Sequence, residues 1–270
     1  MGDEYLLSSS TLGRTVDAEL ERLRLLEHAL DPLSTRNLEA TGIGQSWRCL
    51  EIGVGGGSIL RWLADRVGDS GHVTGIDIRT AYVEDLAADP RVTIVDGDAS
   101  VVAFPDGLDL VHERLTVGFI PDESGVRSRA IAALRPGGWY VSETAGAPRK
   151  REPVDAAYPG AVRFEELLDK ANHALADAGI ANGFWGRTQP IVLTRAGLVD
   201  VTCEGFEPVF SGGSDLARLW RITLGTVFTF LVQQGTVEEH EAAWCLTMFD
   251  DPDFFTTGMT QYATRGRKPE

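Results

Sequence analysis

Cys49-Leu50-Glu51-Ile52-Gly53-Val54-Gly55-Gly56-Gly57-Ser58 carries more of the fold than any other stretch of this 270-residue chain. An apolar run ends in an acidic residue, passes through a glycine-rich turn and opens a helix at about Ser58. The glycines allow a tight turn and a close approach of backbone to a ligand. The helix start offers unpaired N–H groups and a partial positive charge. Such a turn holds a nucleotide-like cofactor at the carboxyl edge of a parallel sheet. The dinucleotide fingerprint G-x-G-x-x-G fits loosely, because Ser58 stands where its third glycine belongs. Glu51 points to a different ligand, since a carboxylate is a poor neighbour for a pyrophosphate and a good one for a cation.

Working outward, strand and helix alternate, the sign of a parallel sheet. Strands are expected at Arg48–Ile52, His72–Asp77, Arg91–Val95, Leu108–His112 and Trp139–Glu143. Helices are expected at Ser58–Val67, about 81–88, and Glu123–Leu134. Upstream, Leu12, Val16, Leu20, Leu23, Leu26 and Leu30 recur at helical spacing until Asp31-Pro32 ends the helix. A second short helix then runs to Thr41, with Gly42 as its C-cap. Downstream, helices over about 162–178 and 188–196 precede a sixth strand at Leu198–Gly205. An insertion at 212–249 reads as two helices, and 254–265 alternates as a last strand.

Composition bounds the function. The hydrophobic share of 43% and charged share of 24% are those of an ordinary globular protein. A formal net charge of −15 argues against a nucleic-acid-binding surface, which needs clustered Lys and Arg. Cys49, Cys203 and Cys245 show neither metal spacing nor a disulfide framework. No signal-peptide pattern opens the chain and no apolar run is long enough to span a bilayer, so a cytoplasmic protein with no membrane partner is expected.

Three acidic groups fall at successive strand ends: Glu51, Asp77 in V-T-G-I-D-I, and Asp98 in D-G-D-A. With E-I-G-V-G-G-G and the pre-strand stretch L-R-P-G-G-W, residues 45–145 resemble the class I S-adenosylmethionine-dependent methyltransferases, whose motif I is written D/E-x-G-x-G-x-G. The resemblance implies a Rossmann-like α/β fold, a seven-stranded mostly parallel sheet whose antiparallel last strand inserts between strands five and six. It implies a single domain over 1–270, with a helical lid at 1–44, a cofactor core at 45–146, and cap or acceptor-pocket segments at 147–197 and 206–250. It also implies S-adenosyl-L-methionine as cofactor. Glu51, Gly53, Gly55, Gly57 and Ile78 would then border the cofactor, with Asp77 at the ribose diol and Asp98 with Ala99 at the adenine. Tyr5 and Arg22 are the lid's candidates for the cofactor, and Glu113 and Arg114 those of the segment leaving strand four.

Where the resembled family often reads V-x-x-x-L-x-H-L-P after strand four, this chain has Phe119 in the place of the histidine. A base is needed only if the acceptor loses a proton. Glu113, His112 and Glu143 are the candidates. The basic loop 147–153 reads either as a lid or as a solvated connection. Phe184, Trp185, Trp220, Phe228, Phe230, Trp244 and Phe249 supply material for an aromatic-lined cavity, although aromatic residues on helical faces are mostly core. Trp185, Arg187 and Phe119 are the acceptor candidates. The expected activity is methyl transfer to O, N or C of a small aromatic or apolar specialised metabolite. The competing expectations are a relative that keeps the cofactor but catalyses a cyclisation, a nicotinamide dehydrogenase, and a non-enzymatic protein with a relic site. The N-terminal and inserted helices offer surface for a homodimer.

Overall fold

The structure is a computed structural model that describes residues 16–146, 151–178 and 185–270. Its elements run α1 (Val16–Glu39), β1 (Arg48–Ile52), α2 (Ser58–Val67), β2 (His72–Asp77), β3 (Val92–Asp96), β4 (Leu108–Arg114), α3 (Glu123–Ala133) and β5 (Leu134–Gly146). There follow α4 (Ala161–Asp177), α5 (Gln189–Arg195), β6 (Val199–Phe206), β7 (Val209–Ser211), α6 (Asp215–Gln233), α7 (Glu239–Met248), β8 (Phe255–Thr257) and β9 (Thr260–Arg267). Among these elements no helix is long and apolar enough to cross a membrane.

The main sheet has the order β3-β2-β1-β4-β5-β9-β6. β1 pairs in parallel with both β2 and β4, β2 with β3, and β4 with β5. The expected antiparallel last strand is present between β5 and β6. Gly137 N–H donates to Lys268 O and Lys268 N–H to Gly138 O, the reciprocal exchange of antiparallel neighbours. Strand order reverses between β1 and β4, and the carboxyl ends of those strands are where an α/β sheet binds its ligand. α2 presents Ile59, Leu60, Leu63, Ala64 and Val67 along one face, and they are buried with Val73, Leu110 and Val141 of the sheet.

The chain sorts into two compact units. One holds residues 30–145, 185–205 and 261–270, hence the whole sheet apart from strand ends. The other holds 1–29, 146–184 and 206–260. Residues 185–197, expected in a cap, thus fall in the unit of the sheet. In the second unit α4, α6 and α7 share a core of Phe164, Phe228, Phe249 and Phe254. Phe164 meets Phe249 and Phe254 edge-on, with centroids 5.4 and 4.8 Å away. Of the aromatic side chains expected around a cavity, Phe228 and Phe249 are therefore core. Trp220, Phe230 and Trp244 pack partly buried against it. Of the basic stretch 147–153, residues 147–150 lie outside the described residues; Arg151 is buried, and its guanidinium pairs with Glu165 at 2.5 Å and donates to Thr257 O.

Three local expectations are corrected. Pro32 lies inside one continuous helix and does not end it. A proline there forfeits a backbone hydrogen bond worth about 3 kcal/mol with its ring clash. Buried Leu30, Leu33 and Leu38, together with the polar anchors of Asp31, Ser34 and Asn37 described below, hold the helix through it. The helix expected at 81–88 is two 3-10 turns, Thr80–Tyr82 and Glu84–Ala88, short pieces of the tighter helix used as a connector. The last strand at 254–265 is split. β8 pairs with β7 in a separate two-stranded sheet, and Gly258 interrupts the run where its backbone packs on the Trp220 indole.

Candidate functional site

The β1–α2 turn is built as its glycines suggest. Gly53, Gly55 and Gly57 all have positive φ, at 82°, 53° and 87°. Gly53 has a packing reason as well: a Cβ there would meet the Thr116 hydroxyl at 1.9 Å. Its N–H donates to Ile76 O, which ties the turn to the end of β2. Asp77, ending β2, accepts from Gly55 N–H at 3.1 Å and from Arg79 N–H at 2.9 Å. Burial raises its carboxyl above the ordinary range, and the Gly55 and Arg79 amides offset part of that. A carboxylate offers about four lone-pair sites, and the Gly55, Arg79 and Val54 amides do not fill them all. Ile78 beside it is 48% exposed. Asp98 follows β3 and turns its own loop by accepting from Ser100 N–H at 2.7 Å, while Ala99 is buried.

Register decides which polar side chains meet beneath the turn. Glu51 is paired with His112 and Arg114 with Glu143 across parallel neighbours. Side chains alternate along a strand, so Glu51, His112, Arg114 and Glu143 share one face of the sheet. Glu113 and Ser142, the intervening pair, occupy the other. His112 is fully buried, its Nδ1 3.7 Å from Glu51 Oε1 and its Nε2 3.7 Å from Glu143 Oε2. Burial opposes a charged ring, but the two carboxylates prevail and hold His112 up at about 9. Glu51 is pushed up by burial, with His112 and Arg114 pulling against it. Burial acts on Glu143 in the same sense, yet His112, Arg114 and Ser34 keep it below the usual carboxylate range.

α1 closes this face. Ser34 Oγ donates to Glu143 in a short hydrogen bond, and Asn37 Nδ2 donates to it at 3.3 Å. Arg265 of β9 donates to Asn37 Oδ1 at 2.7 Å. Arg114 donates to Asp31 at 2.8 Å and Ser34 at 3.0 Å, and Asp31 also accepts from the Ser58 hydroxyl at 2.9 Å. Asp31, Ser34 and Asn37 were not anticipated. Their spacing of three, set among the buried Leu30, Leu33 and Leu38, is the signal: a polar stripe inside an otherwise apolar helix face.

The expected site residues thus divide. Glu51, Gly53, Gly55, Gly57 and Asp77 come together at the turn, with Arg114 joined to it through Ser58. Glu113 is separated from Arg114. It is buried on the opposite face, where Ser142 Oγ and Val117 N–H donate to it and burial raises its pKa. His112 and Glu143 are buried in the sheet–α1 network. A base must reach the proton that it removes, and His112, Glu113 and Glu143 are all buried in this structure. Arg22 is held by Glu19 three residues earlier at 2.6 Å. Phe119 is 37% exposed in the 3-10 turn Val117–Phe119, and Arg187 is exposed. Tyr5 and the Trp185 side chain lie outside the described residues.

Residues 49–138 match the family described as the methyltransferase domain. The chain is 33% identical over 180 residues to the nocamycin O-methyltransferase of Saccharothrix syringae, across 57% of this chain and 64% of that one. It is 31% identical over 114 residues to the aklanonic acid methyltransferase of Streptomyces sp. (strain C5), across 40% and 52%. The chain therefore spans less than two thirds of the length of these curated relatives. In fold it is similar to the 4+2 cyclase SpnF, with a TM-score of 0.52 at 17% identity over 90% of this chain and 82% of that one.

Proposed function

We propose that this chain, whose residues 49–138 match the methyltransferase-domain family, is a class I S-adenosylmethionine-dependent methyltransferase that binds its cofactor over the β1–α2 turn and methylates O, N or C of a small aromatic or apolar specialised metabolite. The observation that carries this reading is Glu51. Its Oε2 is buried without a hydrogen-bond partner directly before three positive-φ glycines. A buried acceptor left unsatisfied is costly, and an ammonium group would satisfy it. A pyrophosphate would be repelled there.

When bound, the sulfonium supplies an activated methyl group. The chain's own residues align and exclude. Glu51 receives the ammonium, the spare lone pairs of Asp77 receive the ribose diol, and Asp98 with the Ala99 N–H receives the adenine edge. Ile78 offers the exposed apolar surface on which a planar base can rest. With His112, Glu113 and Glu143 buried, acceleration on this reading rests on alignment and water exclusion, which supply up to roughly 7–11 kcal/mol in well-oriented cases. Phe119 and Arg187 keep the acceptor-facing role. The two natural-product methyltransferases above support the acceptor class.

Incubation with methyl-labelled S-adenosylmethionine and a metabolite extract of the source organism tests the proposal. Label in a new small molecule is the expected result, and its mass identifies the acceptor. Demonstrated cofactor binding without transfer to any small molecule would overturn methyl transfer and favour the cyclisation reading, which the same fold accommodates.

A further inference from the structure

We propose that His112 is a positioning residue for the cofactor: sandwiched between Glu51 and Glu143, it holds Glu51 charged and aimed at the ammonium group, and links that carboxylate to α1. This rests on the cofactor reading above. The geometry is specific. Both ring nitrogens are buried without a hydrogen-bond partner, and each faces one carboxylate at 3.7 Å. Neutral imidazole presents one donor and one acceptor, and an acceptor nitrogen facing a carboxylate is repulsive. With both carboxylates ionised, only the doubly protonated ring satisfies both sides.

The other charged groups around it are already engaged. Arg114 is directed to Asp31, Ser34 and Ser58. Arg265 is directed to Asn37, which with Ser34 holds Glu143. Ser34 and Asn37 also donate to Glu143; for Glu51, burial raises its pKa, and the facing imidazolium is the largest influence that opposes protonation, ahead of the more distant Arg114. Removing that charge would let Glu51 take up a proton and lose its attraction for a cation. The raised pKa of His112, about 9, agrees with a ring charged at neutral pH.

The test uses two ligands that differ in the part Glu51 recognises. S-adenosylhomocysteine carries the ammonium group, and 5′-methylthioadenosine lacks the amino-acid moiety but keeps adenine and ribose. Calorimetry on His112→Gln should show S-adenosylhomocysteine weakened at least about tenfold and methylthioadenosine changed less than about twofold. In a Glu51→Gln background, His112→Gln should add no further loss, because the effect passes through Glu51. Equal weakening of both ligands, or none, overturns the proposal. Should the variants not fold, imidazole NMR of the wild-type protein decides: S-adenosylhomocysteine should shift the His112 resonance and methylthioadenosine should not, and equal or absent shifts overturn it. Wild-type protein that binds neither ligand refutes the cofactor reading and this inference with it. Binding by the wild type that His112→Gln leaves unaltered refutes this inference alone.

Discussion

Gly53→Ala tests the turn most directly, because two distinct penalties can be read from the structure. Gly53 sits at φ 82°. An L-residue in left-handed geometry costs roughly 1–2 kcal/mol. The added Cβ would also lie 1.9 Å from Thr116 Oγ1, 2.6 Å from its Cγ2 and 2.7 Å from its Cβ. Relief requires the β1–α2 turn and the loop after β4 to part. Overpacking of this kind costs typically about 1–3 kcal/mol, so the substitution should destabilise by roughly 2–5 kcal/mol. The penalties are separable. In a Gly53→Ala, Thr116→Gly double variant the contact disappears and the φ penalty stays. Urea unfolding of the two single variants and the double should yield a coupling of about 1–3 kcal/mol in favour of the double. The single substitution should move the midpoint at unchanged slope. A loss below about 0.5 kcal/mol for Gly53→Ala, or strict additivity of the two substitutions, would refute the claim that close packing on Thr116 demands glycine here.

Asp77→Ala should weaken S-adenosylmethionine binding at least about tenfold, since charge-assisted hydrogen bonds to the ribose are lost; unchanged affinity in calorimetry with the fold intact would remove Asp77 from the site. His112 has a folded pKa of about 9, above its ordinary value of 6.5. Its contribution is therefore complete below about pH 6.5 and lost as pH rises through about 9, by at most about 3 kcal/mol. Urea midpoints across that window should fall with pH in the wild type and fall less steeply in His112→Gln, and equal slopes would contradict the assignment. Arg151→Met strands Glu165 in the second unit's interior, with an expected loss of about 3–5 kcal/mol. Arg151→Met with Glu165→Leu should recover most of it, and a harmless single variant would show the pair to be dispensable.

Much of the sheet is legible in the sequence because its strands end in residues with one job each. The glycine turn, Asp77 and Asp98 each follow an apolar run of strand length, and alternation of strand and helix fixes their edge. The β1–α2 turn needs positive φ at Gly53, Gly55 and Gly57, and that demand is local. Pro32 misleads for the same reason: a local rule ends the helix, while distant partners of Ser34 and Asn37 carry it on. Residues 254–265 alternate like one strand, and only the Trp220 contact at Gly258 divides them.

The sequence by itself therefore determined the α/β class, the place of the cofactor turn and the acidic residues that border it, since these rest on backbone conformation and on spacing along the chain. Tertiary structure alone decided that His112 lies between Glu51 and Glu143, that Glu113 turns to the opposite face, and that α1 contributes Asp31, Ser34 and Asn37. Those pairings depend on strand register and on contacts up to 228 residues apart, as from Asn37 to Arg265. A one-residue slip in register would reverse every side chain on the strand, so no local pattern specifies which charges meet.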